Sequence, residues 1–173
     1  EALSRLMNDV VCRNETENVS LSALTGRILA QDVCAQFDAP RFDNSAMDGY
    51  AVCGLQQQNW LLTDSIAAGD ATHGLQLQTG QAMRILTGAA IPAGTEAVIA
   101  QEDVNVLDGL LVCDRPLKSG QHIRRLAEEY AAGEVLLPAQ MRLNAAAVGV
   151  IASQGLQHVA CFRRIRITVL SSG

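Results

Sequence analysis

Aromatic side chains are scarce in this chain, at 3% of its 173 residues. Any core must therefore be assembled mainly from Leu, Val, Ile and Ala. A hydrophobic fraction of 49% beside 18% charged residues supplies them, a balance that fits one ordinary globular domain or two small ones. Positive charge is in deficit as well. A net charge of −5 argues against a nucleic-acid groove, which needs a basic stripe to neutralise phosphates. The clusters Arg124-Arg125 and Arg163-Arg164-Ile165-Arg166 are short and read as solvated faces. No apolar run approaches the roughly 18 residues of a membrane span, and no signal peptide is visible, so no membrane partner is expected. The five cysteines (Cys12, Cys34, Cys53, Cys113, Cys161) include no C-x-x-C and show no metal-ligand spacing. They read as reduced thiols of a cytoplasmic protein, which makes Asn14-Glu15-Thr16 and Asn18-Val19-Ser20 chance glycosylation matches.

What the chain does contain is organised in three textures. Leu3, Leu6, Met7 and Val10 recur at helical spacing and predict an amphipathic helix over the first dozen residues. Ser20 is placed to cap a short second helix, with Gly26 just past its end. Arg27 to Ala35 alternates as a strand, ended by Pro40. From Gly49 to about Leu117, short apolar runs alternate with turn residues: Tyr50–Cys53, Trp60–Leu62, Met83–Leu86, Ala97–Ala100, Val104–Leu107 and Leu110–Cys113. Turn signals stand at Gly69-Asp70, Gly74, Thr79-Gly80 and Pro92-Ala93-Gly94, and Asp108-Gly109 is the strongest hairpin signal. This texture predicts a small antiparallel barrel or sandwich. After Gly133, Glu134–Leu137 predicts a strand, Asn144 a helix cap with the helix running to Ser153 before Gly155, and His158–Cys161 and Ile165–Leu170 further strands.

The predicted class is therefore α+β: a discontinuous α/β frame domain, residues 1–38 and 133–163, interrupted by an all-β barrel-like insert, residues 39–132. The chain starts without Met inside a helical pattern and stops at Ser171-Ser172-Gly173 after an apolar run. It reads as a fragment, with residues 164–173 as the first strand of a further domain.

Three segments carry candidate chemistry. Phe42-Asp43-Asn44-Ser45-Ala46-Met47-Asp48-Gly49 packs two carboxylates, an amide and a hydroxyl before an apolar strand, the kind of polar loop on a rigid element where chemistry concentrates. Asp43 and Asn44 equally suit an Asx-type turn. Asp48 is distinguished by Gly49, which lets a ligand or another chain approach the backbone. Its carboxylate suits Mg²⁺ ligation or general acid–base work, and the sequence leaves both open. Thr87-Gly88, within Arg84–Gly94, offers a hydroxyl and a backbone N–H to an anion, although a wide turn explains it equally. Arg124 and Arg125 follow Gly120 and suit a phosphate or carboxylate clamp. On a strand they point to opposite faces, so at most one serves a given site. His73, His122 and His158 have no evident partner.

Taken together, Leu24-x-Gly26-Arg27-Ile28-Leu29-Ala30-x-Asp32-Val33, the Pro40-to-Val52 run, Arg84-x-x-Thr87-Gly88-Ala89-x-x-Pro92-x-Gly94, Gly120-x-x-Ile123-Arg124 and Ile151-Ala152-Ser153-x-Gly155 resemble the molybdopterin molybdotransferase family, which includes bacterial MoeA and the E domain of gephyrin. The resemblance spans almost the whole chain and is most specific at Asp43–Ala51. It implies that the intact protein inserts molybdate into adenylylated molybdopterin in a Mg²⁺-dependent step of molybdenum cofactor biosynthesis. It also implies an elongated homodimer with active sites composed between subunits, and a molybdopterin adenylyltransferase as a possible partner. Asp48 then corresponds to the important acid and tentative Mg²⁺ ligand, and Thr87 to the threonine near the active site. Asp43, Asn44, Ser45, Gly88 and Arg124 fall in the substrate-binding motifs. The pterin-binding domain is expected after Gly173, so the isolated chain is expected to be inactive.

Two departures stand out. Where the family shows Gly-Glu-Asp or Gly-Gln-Asp, this chain has Ala127-Glu128-Glu129. Ala127 is expected to deny easy access to positive φ, and Glu129 to shift its carboxylate by about one methylene. These departures favour a rival reading, a non-catalytic dimerisation or scaffold module of the same fold. A free-standing barrel that binds small anions at Thr87-Gly88 and Arg124 is a third alternative, which leaves the Asp48 loop without a role.

Overall fold

The computed structural model describes residues 15–66, 75–169 and 171. The helix expected over the first dozen residues and the turns at Gly69-Asp70 and Gly74 lie outside the described residues. The described chain is mostly strand with one α-helix. It divides into two compact units, one formed by Glu1–Gln36 with Gly133–Gly173, the other by Phe37–Ala132.

In the first unit, β1 (Thr16–Ser20) pairs antiparallel with β12 (His158–Phe162), and β2 (Val33–Cys34) with β11 (Val135–Leu137). Helix α1 (Ala145–Ser153) starts where the sequence indicates. The Asn144 side-chain carbonyl accepts from the Ala147 N–H at 2.9 Å, and Gly155 follows the helix at φ +74°. Both features satisfy backbone groups that a helix end leaves orphaned. Leu24, Leu29, Leu143, Ile151 and Cys161 are all but completely buried at the centre of this unit.

Three expectations here are corrected. The short helix after Ser20 is a single 3₁₀ turn, Leu21–Ala23, without a side-chain cap bond. Arg27–Ala35 is not one strand, because its backbone switches partners. The Leu29 N–H donates to Met141 O, the Ala30 N–H to Ala160 O, and Ile28 O accepts from Phe162, so only Val33–Cys34 runs along a neighbour. Residues 165–169 form no strand. No described strand pairs with them, and Ile165, Ile167 and Val169 stand more than 80% exposed; alternation alone does not hold an extended segment whose backbone groups face water.

The second unit is built on a six-stranded sheet of β4 (Gly49–Val52), β5 (Asn59–Ile66), β6 (Gln81–Ile85), β7 (Ala97–Ala100), β8 (Asn105–Leu107) and β9 (Leu110–Val112). Their order across the sheet is β7-β4-β6-β5-β9-β8. Every residue of β4 and β7 is buried. Alternation sends Ala51, Met83, Ile85 and Val98 to one core cluster and Tyr50, Val52, Trp60, Ala82 and Ile99 to another. Asp108 (φ +49°) and Gly109 (φ +79°) turn β8 into β9, the pair of positive φ values a two-residue type I′ hairpin needs. The sheet is not purely antiparallel as expected, because β5 pairs parallel to β6. The connection from Ile66 to Gln81 is long enough for the crossover that parallel neighbours require.

Candidate functional site

The three chemistry-bearing segments converge on one end of this sheet. Two further short strands, β3 (Asn44–Ser45) and β10 (Ile123–Arg124), pair antiparallel, and Asn44 also bridges Ala90. The Ile91 N–H donates to Asp43 O at 3.0 Å, the Ser45 N–H to Ala89 O at 3.0 Å, the Gly88 N–H to Ser45 O at 2.8 Å and the Ala46 N–H to His122 O at 2.9 Å. The turn between Leu86 and Ala89, closed by an Ala89 N–H to Leu86 O bond, holds Gly88 at φ +81°. That third position of the turn requires a left-handed backbone, which is why glycine stands there.

At the centre is Asp48, exposed at the tip of the loop. One carboxylate oxygen, Oδ1, accepts from the Thr87 hydroxyl at 2.6 Å and from the Thr87 N–H at 2.7 Å. These two bonds, the hydroxyl first, hold the Asp48 carboxyl below its ordinary range against a weak opposing desolvation, and the Arg84 guanidinium adds its charge. Asp48 is thus ionised at neutral pH and is not a proton donor there. Of the roles open from sequence, the ionised group is compatible with cation ligation and with general-base work and not with general-acid work. Gly49 serves packing: a Cβ there would lie 1.9 Å from the Ile99 carbonyl oxygen, so the close approach is by β7 of the same chain.

Thr87 is a positioning residue, with both of its donors on Asp48. Gly88 likewise gives its N–H to Ser45, so the anion pocket expected at Thr87-Gly88 has no donors left. Ser45 is fully buried, and its hydroxyl donates to Met47 O at 2.6 Å. Asn44 is 8% exposed and gives its amide to Phe42 O at 3.3 Å. Both side chains, for which a substrate-binding role is expected from sequence, hydrogen-bond to carbonyls of their own loop. Asp43 is doubly engaged: Oδ1 accepts from the Leu126 N–H at 2.8 Å and Oδ2 from Arg125 Nη1 at 2.6 Å. The Leu126 bond foremost, with Arg125 adding a hydrogen bond and charge against partial burial, lowers its pKa.

Arg125 is the partner that sequence reasoning passed over. Arg124 instead lines a cavity of about 280 Å³ with Pro40, Glu128 and Glu129. The rule that adjacent strand residues diverge was available from sequence; which arginine met the loop depended on the β3–β10 register. Arg84 was given no role of its own, although an arginine between the apolar Met83 and Ile85 of a strand signals an exposed face.

Among the described residues no group of three or more His, Cys, Asp or Glu side chains is arranged to hold a metal. The donor set at Asp48 is one carboxylate whose Oδ1 is fixed by Thr87. That suits Mg²⁺ in the mode where one carboxylate and a substrate's oxygens share the ion with water, and it does not suit a closed protein cage. No described helix is long and apolar enough to cross a membrane.

Residues 1–155 match the family described as MoeA N-terminal region (domain I and II). The molybdopterin molybdenumtransferase of Haemophilus influenzae is 38% identical, covering all of this chain and 44% of its own length. That of a Nostoc species is also 38% identical, over 93% of this chain and 38% of its own. Among solved structures, a molybdopterin biosynthesis MoeA protein from Pyrococcus horikoshii OT3 superposes with a TM-score of 0.83 at 32% identity, covering 93% of this chain and 44% of that one. The chain thus spans about two fifths of the length of the curated relatives it matches.

Proposed function

The chain belongs to the MoeA N-terminal family, and from that premise we propose that it is part of a molybdopterin molybdotransferase, which inserts molybdate into adenylylated molybdopterin during molybdenum cofactor biosynthesis. The observation that carries this reading is the Asp48–Thr87 arrangement: an ionised, exposed carboxylate fixed through one oxygen at the end of a rigid sheet. Asp48 would hold Mg²⁺, with Thr87 orienting the carboxylate. When bound, the ion supplies Lewis-acid polarisation of a substrate oxygen and neutralises charge on it. The protein's own contribution is preorganisation, because the Thr87 bonds keep Asp48 ionised and aimed before substrate arrives. Arg124 and the carboxylates of Glu128 and Glu129 line a nearby cavity of the same unit and are the further substrate contacts in this reading. A homodimer with a composite site, a molybdopterin adenylyltransferase as donor of the activated pterin, and a cytoplasmic setting complete it.

The test is Asp48→Asn in the full-length protein. The variant keeps an acceptor for Thr87, so its melting temperature and circular dichroism are expected to match the parent. Turnover is expected to fall by roughly two to three orders of magnitude, the scale of losing one preorganised charge contact at a reacting centre. Parental turnover in that variant would leave Asp48 as a turn residue. The scaffold reading rested on the departures at Ala127 and Glu129, and the first of these is weaker than expected. Ala127 adopts φ +59°, so the turn survives without its glycine. Binding of the adenylylated pterin by the parent protein with no turnover at all would favour the scaffold.

A further inference from the structure

With the donors of Thr87 and Gly88 engaged inside the loop, an anionic ligand next to Asp48 finds no free backbone cradle there. Yet an ionised carboxylate alone repels an oxyanion, so a site for one needs a cation of its own. Arg84 is that cation. It sits on β6 opposite Tyr50 in β4, with its guanidinium in solvent. Nη1 donates to the Tyr50 hydroxyl at 3.2 Å and Nη2 to Gln101 Oε1 at 3.4 Å, and its Cζ stands 5.7 Å from the centre of the Tyr50 ring. Gln101 is in turn tied to the same loop, its N–H donating to Asp48 O at 3.0 Å.

The identity of these partners is what matters. Arg27, Arg115, Arg125 and Arg163 each face a carboxylate, of Glu17, Asp103, Asp43 and Glu15 respectively. Among the described residues no carboxylate lies within ion-pair distance of Arg84; Glu102 is reached only through the Gln101 amide. A guanidinium carries five N–H donors in a planar fork. Here two contacts to uncharged groups orient it and leave its remaining donors for a ligand, while its charge reaches Asp48 without a hydrogen bond between them. Holding a long side chain in place without spending its donors on an ion pair is the arrangement that anion recognition calls for.

We propose that Arg84 is the anion-binding residue beside Asp48, taking an oxygen of a tetrahedral oxyanion, either molybdate or the phosphoryl group of the nucleotide-activated pterin. The proposal rests on the functional reading above but addresses a separate step, anion recognition. Asp48 attracts a cation, Arg84 an anion, and the two side chains share one sheet end.

The experiment uses the full-length protein, its Arg84→Gln and Arg84→Lys variants, and two probes, sodium molybdate and adenosine monophosphate, titrated calorimetrically at low ionic strength. Arg84→Gln is expected to weaken binding of at least one probe by roughly tenfold to a hundredfold, the scale of a charge-assisted hydrogen bond. Arg84→Lys should fall between, because it keeps the charge and loses the fork. A loss confined to molybdate assigns the metal oxyanion; a loss confined to adenosine monophosphate assigns the phosphoryl group. Unchanged affinity for both probes in both variants overturns the proposal, as does failure of the parent to bind either. Arg84-dependent binding in a protein that never turns over would sink the enzymatic reading and leave this one standing, while parental turnover and KM in Arg84→Gln would do the reverse.

Discussion

Asp43 and Asp48 stand five residues apart in one loop, and both carboxyls are held below their ordinary range with an arginine contributing. At the Asp43 end, Arg125 and the Leu126 N–H engage both oxygens. The group is satisfied, and what it achieves is closure of the β3–β10 region. At the Asp48 end, Thr87 fixes a single oxygen, and the arginine acts through its charge, its own hydrogen bonds going to Tyr50 and Gln101. The same residue type, lowered in the same direction, is closed in one place and open in the other. A depressed pKa therefore does not tell the two carboxylates apart; their partner sets do.

The Asp48 end depends on backbone packing, and Gly49→Ala is the substitution that breaks it most severely. The added methyl would stand 1.9 Å from the Ile99 carbonyl oxygen, and backbone on a fully buried strand pair has nowhere to move. Destabilisation of about 3 kcal/mol or more is expected, at or above the usual range for overpacking, measured by chemical denaturation of the full-length protein. A loss below about 1 kcal/mol would mean that β4 and β7 separate easily, and that Asp48 is not rigidly presented.

The Asp43 end depends on side chains, so its loss is smaller and depends on pH. Asp43→Ala removes a charge-assisted bond and an ion pair whose side chains are 36% and 56% exposed. Solvent screens such a pair, and about 1 kcal/mol of stability is expected to go. Because the folded pKa is depressed, this contribution is present above the unfolded carboxylate value of about 4 and is lost as pH falls through the folded value. The melting difference between Asp43→Ala and parent should hold at pH 7 and close below about pH 4. A variant with parental stability and abolished turnover would erase the distinction between the two ends.

How much of this was legible from sequence follows the range of the interaction. Ala97–Ala100, the Asp108-Gly109 hairpin and the Asn144 cap were readable because each is decided within a few neighbouring residues. Asp48 could be singled out by composition and by resemblance. The parallel β5–β6 pair, the partner switching of residues 27–35 and the burial of Ser45 were not, since each is settled by strands far away in sequence. That Arg125 and not Arg124 meets Asp43 was unreadable for the same reason: alternation says that the two arginines diverge, and only the register of β10 against β3 says which way.

The finest test of the comparison lies at Ala127, in the turn that presents Leu126 to Asp43. Its φ of +59° is a left-handed conformation held without glycine, and its N–H donates to Pro40 O at 3.0 Å while the Glu128 N–H closes the turn onto Arg125 O at 3.1 Å. The chain thus tolerates about 1–2 kcal/mol of local backbone strain to keep the Asp43 clamp in register. Replacement by glycine relieves that strain but returns about 0.4–1 kcal/mol of freedom to the unfolded chain. Ala127→Gly should therefore stabilise the full-length protein by about 0.5 kcal/mol, seen as a small rise in denaturation midpoint with unchanged slope. Combined with Asp43→Ala, the gain should persist, because the strain belongs to the backbone and not to the ion pair. A gain that vanishes in the double variant would show that the clamp itself forces Ala127 left-handed, making the Asp43 end a strained device and not a passive closure.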